Sequence, residues 1–439
     1  LPLYFYVAIC CTFILPYTTP RQAKRYQNDL TFILPLLKDE INTVDLLLLE
    51  GIKIFYPNMY DHIRQNPELF VDTYLFREVH RRDGNGKLKE AIKAGYIGLQ
   101  PDEAEAFNEL ILYLFPLLES VFRNVSYGSE GAERWRKQKR LCSGHYFNRY
   151  FYYTVPSNDI PDVSIEELFN TIENRPIEVI KKEVESLITQ EKAENLTFKL
   201  HQNIHLLTAE GAAKLTLALC GLGGLFPKPE AVFSLSTPFS RAASFIADAL
   251  NIVPDQSRLT LAYEIVQNAE PLIFGAEIIR WLRTGEEPKA ISDEEADGLF
   301  SILANRIATM SKETNIITDS KSGGSLLWIW LEYGESEEVE RYLTELISGD
   351  PQQAILLLKC FVGTAWSMSD GIPRLGDLES QEYINICKYV KPETVCQALC
   401  KIYDLSNPKQ WQRSLAPEER IANDFMYIHQ HIQDGGDDE

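Results

Sequence analysis

The sequence predicts a predominantly α-helical protein, in which a helical subdomain is followed by an irregular array of further helices. Apolar residues recur three and four positions apart through most of the chain, which places them on one face of a helix. Hydroxyl or amide side chains precede several of these runs, where they can cap free N–H groups. No motif repeats at a fixed period, so a regular repeat protein is not indicated.

Composition narrows the function classes. The chain has 439 residues, 63 acidic and 43 basic, and a net charge of -20. So negative a protein repels phosphate backbones, and we expect no nucleic-acid partner. Eight cysteines in a chain of this length do not form a disulfide framework, which favours a reducing, cytoplasmic location.

The first fifteen residues, LPLYFYVAICCTFIL, form a strongly apolar run. A membrane-spanning helix needs about 20 apolar residues. The run is shorter than that, and its aromatic and β-branched residues suit a buried strand. A membrane segment at the inner face of a membrane is the alternative that we leave open.

The stretch from Tyr17 to Ile63 predicts a helical hairpin. Its first helix begins at Thr18-Thr19-Pro20, with a hydroxyl cap and an early proline. A second helix begins near Asn42 and stops at Pro57. Four polar residues of the first helix share one face because they are three and four positions apart: Arg21, Lys24, Arg25 and Asn28.

Two segments of the chain carry a family resemblance. One is TPRQAKRYQNDL followed by DEINTVDLLLLEGIKIFYPNMYDHIRQNPELF, and the other is SGHYFNRYFYYTVPSNDIPDVSIEELF. Both resemble segments of the KAP family of P-loop NTPases. The resemblance implies a helical lid subdomain that packs over a nucleotide, attached to a P-loop core. It also implies that the complete protein binds and hydrolyses ATP with Mg²⁺.

The motifs of that core are not found in this sequence. A phosphate-binding loop requires Gly-x4-Gly-Lys-Ser/Thr, and the nearest candidate, Gly84-Asn85-Gly86-Lys87, lacks that spacing. No apolar strand ends in the acidic pair that holds the metal. Because the chain also begins at Leu1, we expect an N-terminal P-loop core outside it. This chain alone is then expected to bind no ATP or Mg²⁺ and to have no activity.

The resemblance implies candidate nucleotide-phosphate sensors at Arg21, where the family has a Pro-Arg dipeptide, and at Arg25. An arginine at the start of a lid helix can reach a phosphate and report hydrolysis. The alternative is a solvated basic face, or pairing with Asp29 and Asp39. No catalytic residue and no metal ligand is predicted.

The predicted organisation has five segments. Residues 1–16 are a strand or membrane remnant, 17–126 the helical lid subdomain, and 127–205 a connector of basic-aromatic sequence and amphipathic helices. Residues 206–432 are a C-terminal helical array, which we expect to bind a protein partner, and 433–439 an acidic disordered tail. Within them, Pro101–Val125 is predicted as one helix and Ser164 as a helix cap.

Three further patterns admit a functional and a structural interpretation. The block from Arg134 to Phe151 has the composition of a single-strand binding surface, but a core seam with paired charges is favoured. His201 and His205 have zinc-peptidase spacing, yet Gln202 replaces the required Glu. Cysteines 387, 396 and 400 lack zinc-site spacing.

A stand-alone helical scaffold and a membrane-tethered adaptor are the alternative functions, and the oligomeric state is left open.

Overall fold

The computed structural model describes residues 19–71, 85–123, 125, 129–189, 191–227, 237–284, 290–366, 373–409, 412 and 414–433. Within these ranges the protein is predominantly helical, which confirms the predicted fold class. The apolar run 1–15 and residues 434–439 of the tail lie outside the described residues.

The helices, numbered in chain order, have the following bounds: α1 Pro20–Leu36, α2 Thr43–Phe55, α3 Pro57–Gln65, α4 Asn85–Lys93, α5 Pro101–Leu114, α6 Glu119–Phe122, α7 Ser129–Lys137, α8 Phe147–Tyr152, α9 Asp162–Thr171, α10 Ile177–Leu187, α11 Ala193–Asn203, α12 Ala209–Cys220, α13 Pro238–Leu250, α14 Asp255–Asn268, α15 Leu272–Thr284, α16 Asp293–Met310, α17 Ser320–Tyr333, α18 Ser336–Gly349, α19 Gln352–Phe361, α20 Ser380–Ile386, α21 Pro392–Ile402 and α22 Pro417–Gln433. Two short strands, β1 Thr364–Trp366 and β2 Pro373–Leu375, pair antiparallel between α19 and α20.

The predicted hairpin is confirmed at its helix ends. Thr19 caps α1 by accepting a hydrogen bond from the N–H of Gln22, and Pro20 is the first helical residue. The side chain of Asn42 accepts hydrogen bonds from the backbone N–H groups of Val44 and Asp45 at the start of α2. Helix α2 ends two residues before Pro57. Local capping chemistry therefore sets these boundaries.

Two local predictions are wrong. The helix that begins at Pro101 ends at Leu114 rather than Val125, because Pro116 interrupts the backbone hydrogen bonding and a 3₁₀ turn follows. Helix α9 begins at Asp162, so Ser164 lies inside it. The first two N–H groups of α9 donate instead to the carboxylate of Glu40, which is more than 120 residues away in the chain.

The described chain divides into two compact units. Unit 1 comprises the residues up to Leu168 together with Phe198–Asn203, and unit 2 comprises Phe169–Thr197 and the residues from Ile204 onward. The predicted boundaries at residues 126 and 205 stay predictions. Unit 1 has a hydrophobic core of aliphatic and aromatic side chains from α1 to α8, among them Leu46, Ile52, Phe107, Trp135 and Tyr150.

Unit 2 is an array in which each helix packs mainly on its nearest and next-nearest neighbours in the chain. Examples are α12 with α14, α13 with α15, and α17 with α19. Helix α17 contains Gly323 and Gly324, at which a Cβ atom would lie 2.8 Å from the sulfur and 2.5 Å from the carbonyl oxygen of Cys360, respectively. The glycine pair thus permits the close approach of α17 and α19.

No helix of the described chain is long and apolar enough to cross a membrane.

Candidate functional site

The basic face of α1 is exposed. Four polar side chains are exposed along the first three turns of the helix: Arg21, Lys24, Arg25 and Asn28. Among the described residues, no hydrogen bond or ion pair engages the side chain of Arg21, Lys24 or Arg25. Three cationic groups on one helix face are therefore available to an anion outside the described chain. We call Arg21, Lys24, Arg25 and Asn28 the α1 basic face.

The opposite side of α1 is fixed to unit 1. Ile33 and, just beyond the helix end, Leu37 are buried in the core, and the Tyr26 hydroxyl donates to the carbonyl of Leu47 at 2.9 Å. Asp29 lies 3.5 Å from the ammonium of Lys53. One of the two carboxylates considered as a partner for Arg21 is thus engaged elsewhere. The basic face is presented by a helix that is anchored along its length.

Unit 1 also contains a buried cluster of charged side chains around Arg149. Its guanidinium contacts three carboxylates, Glu40, Asp159 and Asp162, and is only 1% exposed. Lys199 adds a second buried cation, which contacts both aspartates and the carbonyl of Ile160. A third cation, the less buried Lys139, lies 3.6 Å from Asp162. Because three cations balance three carboxylates and the donors have acceptors, the cluster can be buried.

Glu40 links this cluster to the backbone at the start of α9. Its carboxylate contacts Arg149 and also accepts the N–H groups of Asp162 and Val163 at 3.0 and 3.1 Å. A carboxylate at a helix N-terminus interacts favourably with the helix dipole. The turn between α1 and α2 is thereby joined to the first turn of α9.

A second buried pair joins Asp45 of α2 to Arg140. The guanidinium Nε lies 2.7 Å from Oδ2 of Asp45, and the same oxygen accepts the N–H of Leu141 at 2.8 Å. The other oxygen, Oδ1, is buried and has no hydrogen-bond partner among the described residues. Arg140 also donates to the carbonyl of Tyr113 at 2.7 Å and lies over its ring.

The buried residues Asp45 and Asp162 have pKa values that are shifted in opposite directions. Burial raises the pKa of Asp45, and this effect outweighs the attraction of Arg140. At Asp162 burial also acts to raise the pKa, but attraction by Lys199 and Arg149 outweighs it and the pKa is lowered. The difference follows from the surroundings. Asp162 has three cations within ion-pair distance, Lys139, Arg149 and Lys199, whereas Asp45 pairs with Arg140 and has one oxygen without a donor among the described residues.

The basic-aromatic block follows the interpretation favoured from sequence. Tyr146, Phe147 and Tyr150 are buried core residues, and Arg140 and Arg149 are paired with acids. The Tyr150 hydroxyl accepts the N–H of Asn42 at 3.0 Å and donates to the carbonyl of Lys139 at 2.7 Å. These side chains build unit 1, and they leave little of the block for stacking bases.

The cysteine and histidine patterns do not assemble a metal centre. In the part of the chain that the structure describes, no group of three His, Cys, Asp or Glu side chains could hold an ion. His201 lies in α11, whereas His205 lies in the 3₁₀ turn that follows.

Sequence reasoning missed the acidic half of the Arg149 cluster. Glu40 is far from Asp159 and Asp162 in the sequence, whereas the two aspartates are three residues apart, in a stretch that the sequence predicts as a turn followed by a helix start. The PSNDIPD turn was a local signal, since it brings two aspartates near a proline-constrained backbone. Nothing in the sequence identifies Glu40 as their neighbour.

Comparison with known proteins gives one informative similarity. The chain is similar to the phage T7 exclusion protein of Escherichia coli strain K12, at 25% identity over 184 residues. The matched region is 37% of this chain and 22% of the exclusion protein, so the chain spans well under two thirds of that relative. No protein-family model and no solved structure matches the chain.

Proposed function

We propose that unit 1 is the helical subdomain of a KAP-like P-loop NTPase and that the α1 basic face contacts the phosphates of a bound nucleotide. The observation that carries the proposal is the availability of Arg21 and Arg25. They are exposed and without an ionic partner in the described chain, whereas the guanidiniums of Arg140 and Arg149 are committed to buried acids. The sequence resemblance of this segment to the KAP family supports it.

In this proposal each part of the chain has a defined role. Arg21, at the first turn of α1, donates N–H groups to phosphate oxygens, and Arg25 lies one turn further along the same face. Bound ATP would supply a γ-phosphoryl group for transfer to water. In this proposal the ligands of Mg²⁺ and the phosphate-binding loop belong to a core outside the described residues.

The anchoring of α1 explains how a phosphate contact can be transmitted. A change in the position of α1 acts on Glu40, and Glu40 caps α9 and contacts Arg149. The array of unit 2 then serves as the surface for a protein partner, whose binding the nucleotide state regulates.

The experiment compares this chain with the complete protein, including any sequence upstream of Leu1. ATP binding and turnover are measured for both. We expect both only in the complete protein. Arg21→Ala should lower its turnover by about 10- to 100-fold, the effect of losing one hydrogen bond to a charged group. Arg25→Ala should lower it less.

A matched control is Arg64→Ala. Arg64 is an exposed arginine on α3 in the same unit, and its ion partner is Asp61 at 3.2 Å. The Arg64→Ala variant should leave ATP turnover unchanged. Equal turnover in Arg21→Ala and Arg64→Ala would remove Arg21 from the proposal, and an upstream sequence without a phosphate-binding loop would leave a helical scaffold instead.

The similarity to the phage T7 exclusion protein favours a biological role of the same kind. We propose that the complete protein reduces the multiplication of a bacteriophage. The plaque count of T7 on cells that express it should fall relative to cells with an empty vector. Arg21→Ala should restore the plaque count, whereas Arg64→Ala should not.

A further inference from the structure

A second candidate ligand site lies in unit 1, in a cavity whose volume is within the range of about 300–1,000 Å³ that is typical of small-molecule pockets. Its volume is about 580 Å³, and its walls come from α4, the start of α5 and the end of α6. The described side chains that line it and carry chemistry are Lys89, Lys93, Tyr96, Glu105, Asn108 and Phe122. No part of the proposed ATPase mechanism uses them.

Two lysines give the cavity a positive wall. Lys89 and Lys93 are four residues apart on α4, so their side chains are neighbours, and like charges at this spacing repel. Within the described residues neither has a carboxylate partner; Lys89 lies over the ring of Phe122 at 5.2 Å. An anion between them would remove the repulsion.

The remaining charges leave this wall positive. Arg123 also lines the cavity, but it is paired with Glu109 and with Glu119. Among the described residues that line the cavity, Glu105 is the one that carries a carboxylate. The side chains that line the cavity therefore carry three positive charges and one negative charge, since Glu109 and Glu119, which pair with Arg123, do not line it.

The other walls are suited to a planar group. The ring of Phe122 is half-buried against the core, and Tyr96 packs edge-on to Phe107 with centroids 5.6 Å apart. The Tyr96 hydroxyl donates to Oδ1 of Asn108 at 3.1 Å. This fixes the amide, so that its NH₂ group is the donor left for a ligand.

We infer that this cavity binds a nucleoside monophosphate, whose phosphate pairs with Lys89 and Lys93 while its base takes the place of the Lys89 ammonium over the ring of Phe122. Ammonium groups bind phosphate as point charges, and bases stack on aromatic rings. A long nucleic acid is disfavoured because the chain carries a net charge of -20.

The test is calorimetric titration of the chain itself with AMP, adenosine and inorganic phosphate. We expect saturable AMP binding, with adenosine and phosphate each at least about tenfold weaker because each lacks one half of the contacts. Lys93→Ala should weaken AMP binding by about tenfold or more. Glu105→Gln should strengthen it, since it removes a negative charge from the wall.

Two controls separate this site from the α1 basic face. Lys87→Ala changes an exposed lysine of the same helix that does not line the cavity, and it should leave AMP binding unchanged. Arg21→Ala should also leave it unchanged, so the two proposals can fail separately. No AMP binding, or binding that Lys93→Ala does not weaken, would overturn the inference. Tighter binding of a single-stranded oligonucleotide than of AMP would overturn it as well.

Discussion

Two groups of arginines in unit 1 share the same chemistry and differ in their surroundings. Arg140 and Arg149 are buried, and carboxylates or carbonyls accept their hydrogen bonds. Arg21 and Arg25 are exposed on α1, and no described acid pairs with them. Both groups occur in basic stretches of sequence, so composition alone does not distinguish them.

The difference shows which arginines are available to a ligand. A buried guanidinium that already contacts three carboxylates cannot turn toward an external phosphate without leaving those acids unpaired, which is costly. An exposed one loses mainly water and rotamer freedom on binding. The basic stretch richest in aromatic residues therefore builds the fold, and the sparser stretch on α1 is the candidate for recognition.

The largest expected effect is that of removing the buried cation. Arg149→Met leaves Glu40, Asp159 and Asp162 with Lys199 as the remaining fully buried cation, and should lower the free energy of unfolding of unit 1 by about 3–5 kcal/mol. Hydrogen exchange of the core amides of α2 in increasing urea measures this. Arg64→Met is the exposed control and should cost less than about 1 kcal/mol.

If Arg149→Met fails to fold, Glu40→Gln provides the same test more mildly. It keeps a side-chain oxygen for the helix cap of α9 but removes one charge from Arg149. A loss below about 1 kcal/mol for both variants, the size expected of an exposed ion pair, would contradict the role given to the cluster.

The next effect compares Asp162 with Asp45 by the direction in which each makes stability depend on pH. The pKa of Asp162 is lowered in the folded state, so its contribution to stability is present above an unfolded pKa of about 3.9 and is lost as the pH falls below it. The pKa of Asp45 is raised, so its contribution is present below about 3.9 and is lost as the pH rises through the folded value.

The variants Asp162→Asn and Asp45→Asn should reveal these opposite slopes. Relative to each variant, the unsubstituted protein should gain stability with rising pH at Asp162 and lose stability with rising pH at Asp45. Urea unfolding at several pH values between about 3 and 7 measures both, a range that includes the ordinary carboxyl pKa. Slopes of the same sign would contradict the opposite pKa shifts of Asp162 and Asp45.

The smallest expected effect is the change in protein stability when the exposed Arg21 or Arg25 is replaced. Arg21→Ala and Arg25→Ala should each change the free energy of unfolding by less than about 0.5 kcal/mol, as is usual at exposed positions away from special contacts. The same urea experiment measures it. A loss above about 2 kcal/mol would mean that these residues have a structural partner, and it would erase the contrast with Arg149.

Local chemistry explains what the sequence could predict. The Thr19 cap, Pro20 and Asn42 act within a few residues, and the helix ends that they set were predicted correctly. Helix α13 has the same local chemistry, since the side chain of Thr237 caps it and Pro238 is its first residue. Periodicity and caps are properties of a short segment, so they can be recognised without the tertiary structure.

Long-range contacts explain what the sequence could not predict. Ser164 has the right chemistry for a helix cap, but Glu40 supplies the cap of α9 from a distant turn. Gly323 and Gly324 are poor helix formers, yet they lie inside α17, where their value is the close packing against Cys360. Arg21 and Arg25 were identified from a resemblance, and their exposure could be known only from the fold.

Arginine-selective labelling of the complete protein tests the central claim most directly. The protein is treated with phenylglyoxal with and without ATP, and the modification of each arginine is followed by mass spectrometry. We predict that ATP slows the labelling of Arg21 and Arg25, that Arg64 reacts equally in both samples, and that Arg149 reacts in neither. Equal labelling of Arg21 and Arg25 with and without ATP, in a protein that binds ATP, would contradict the account.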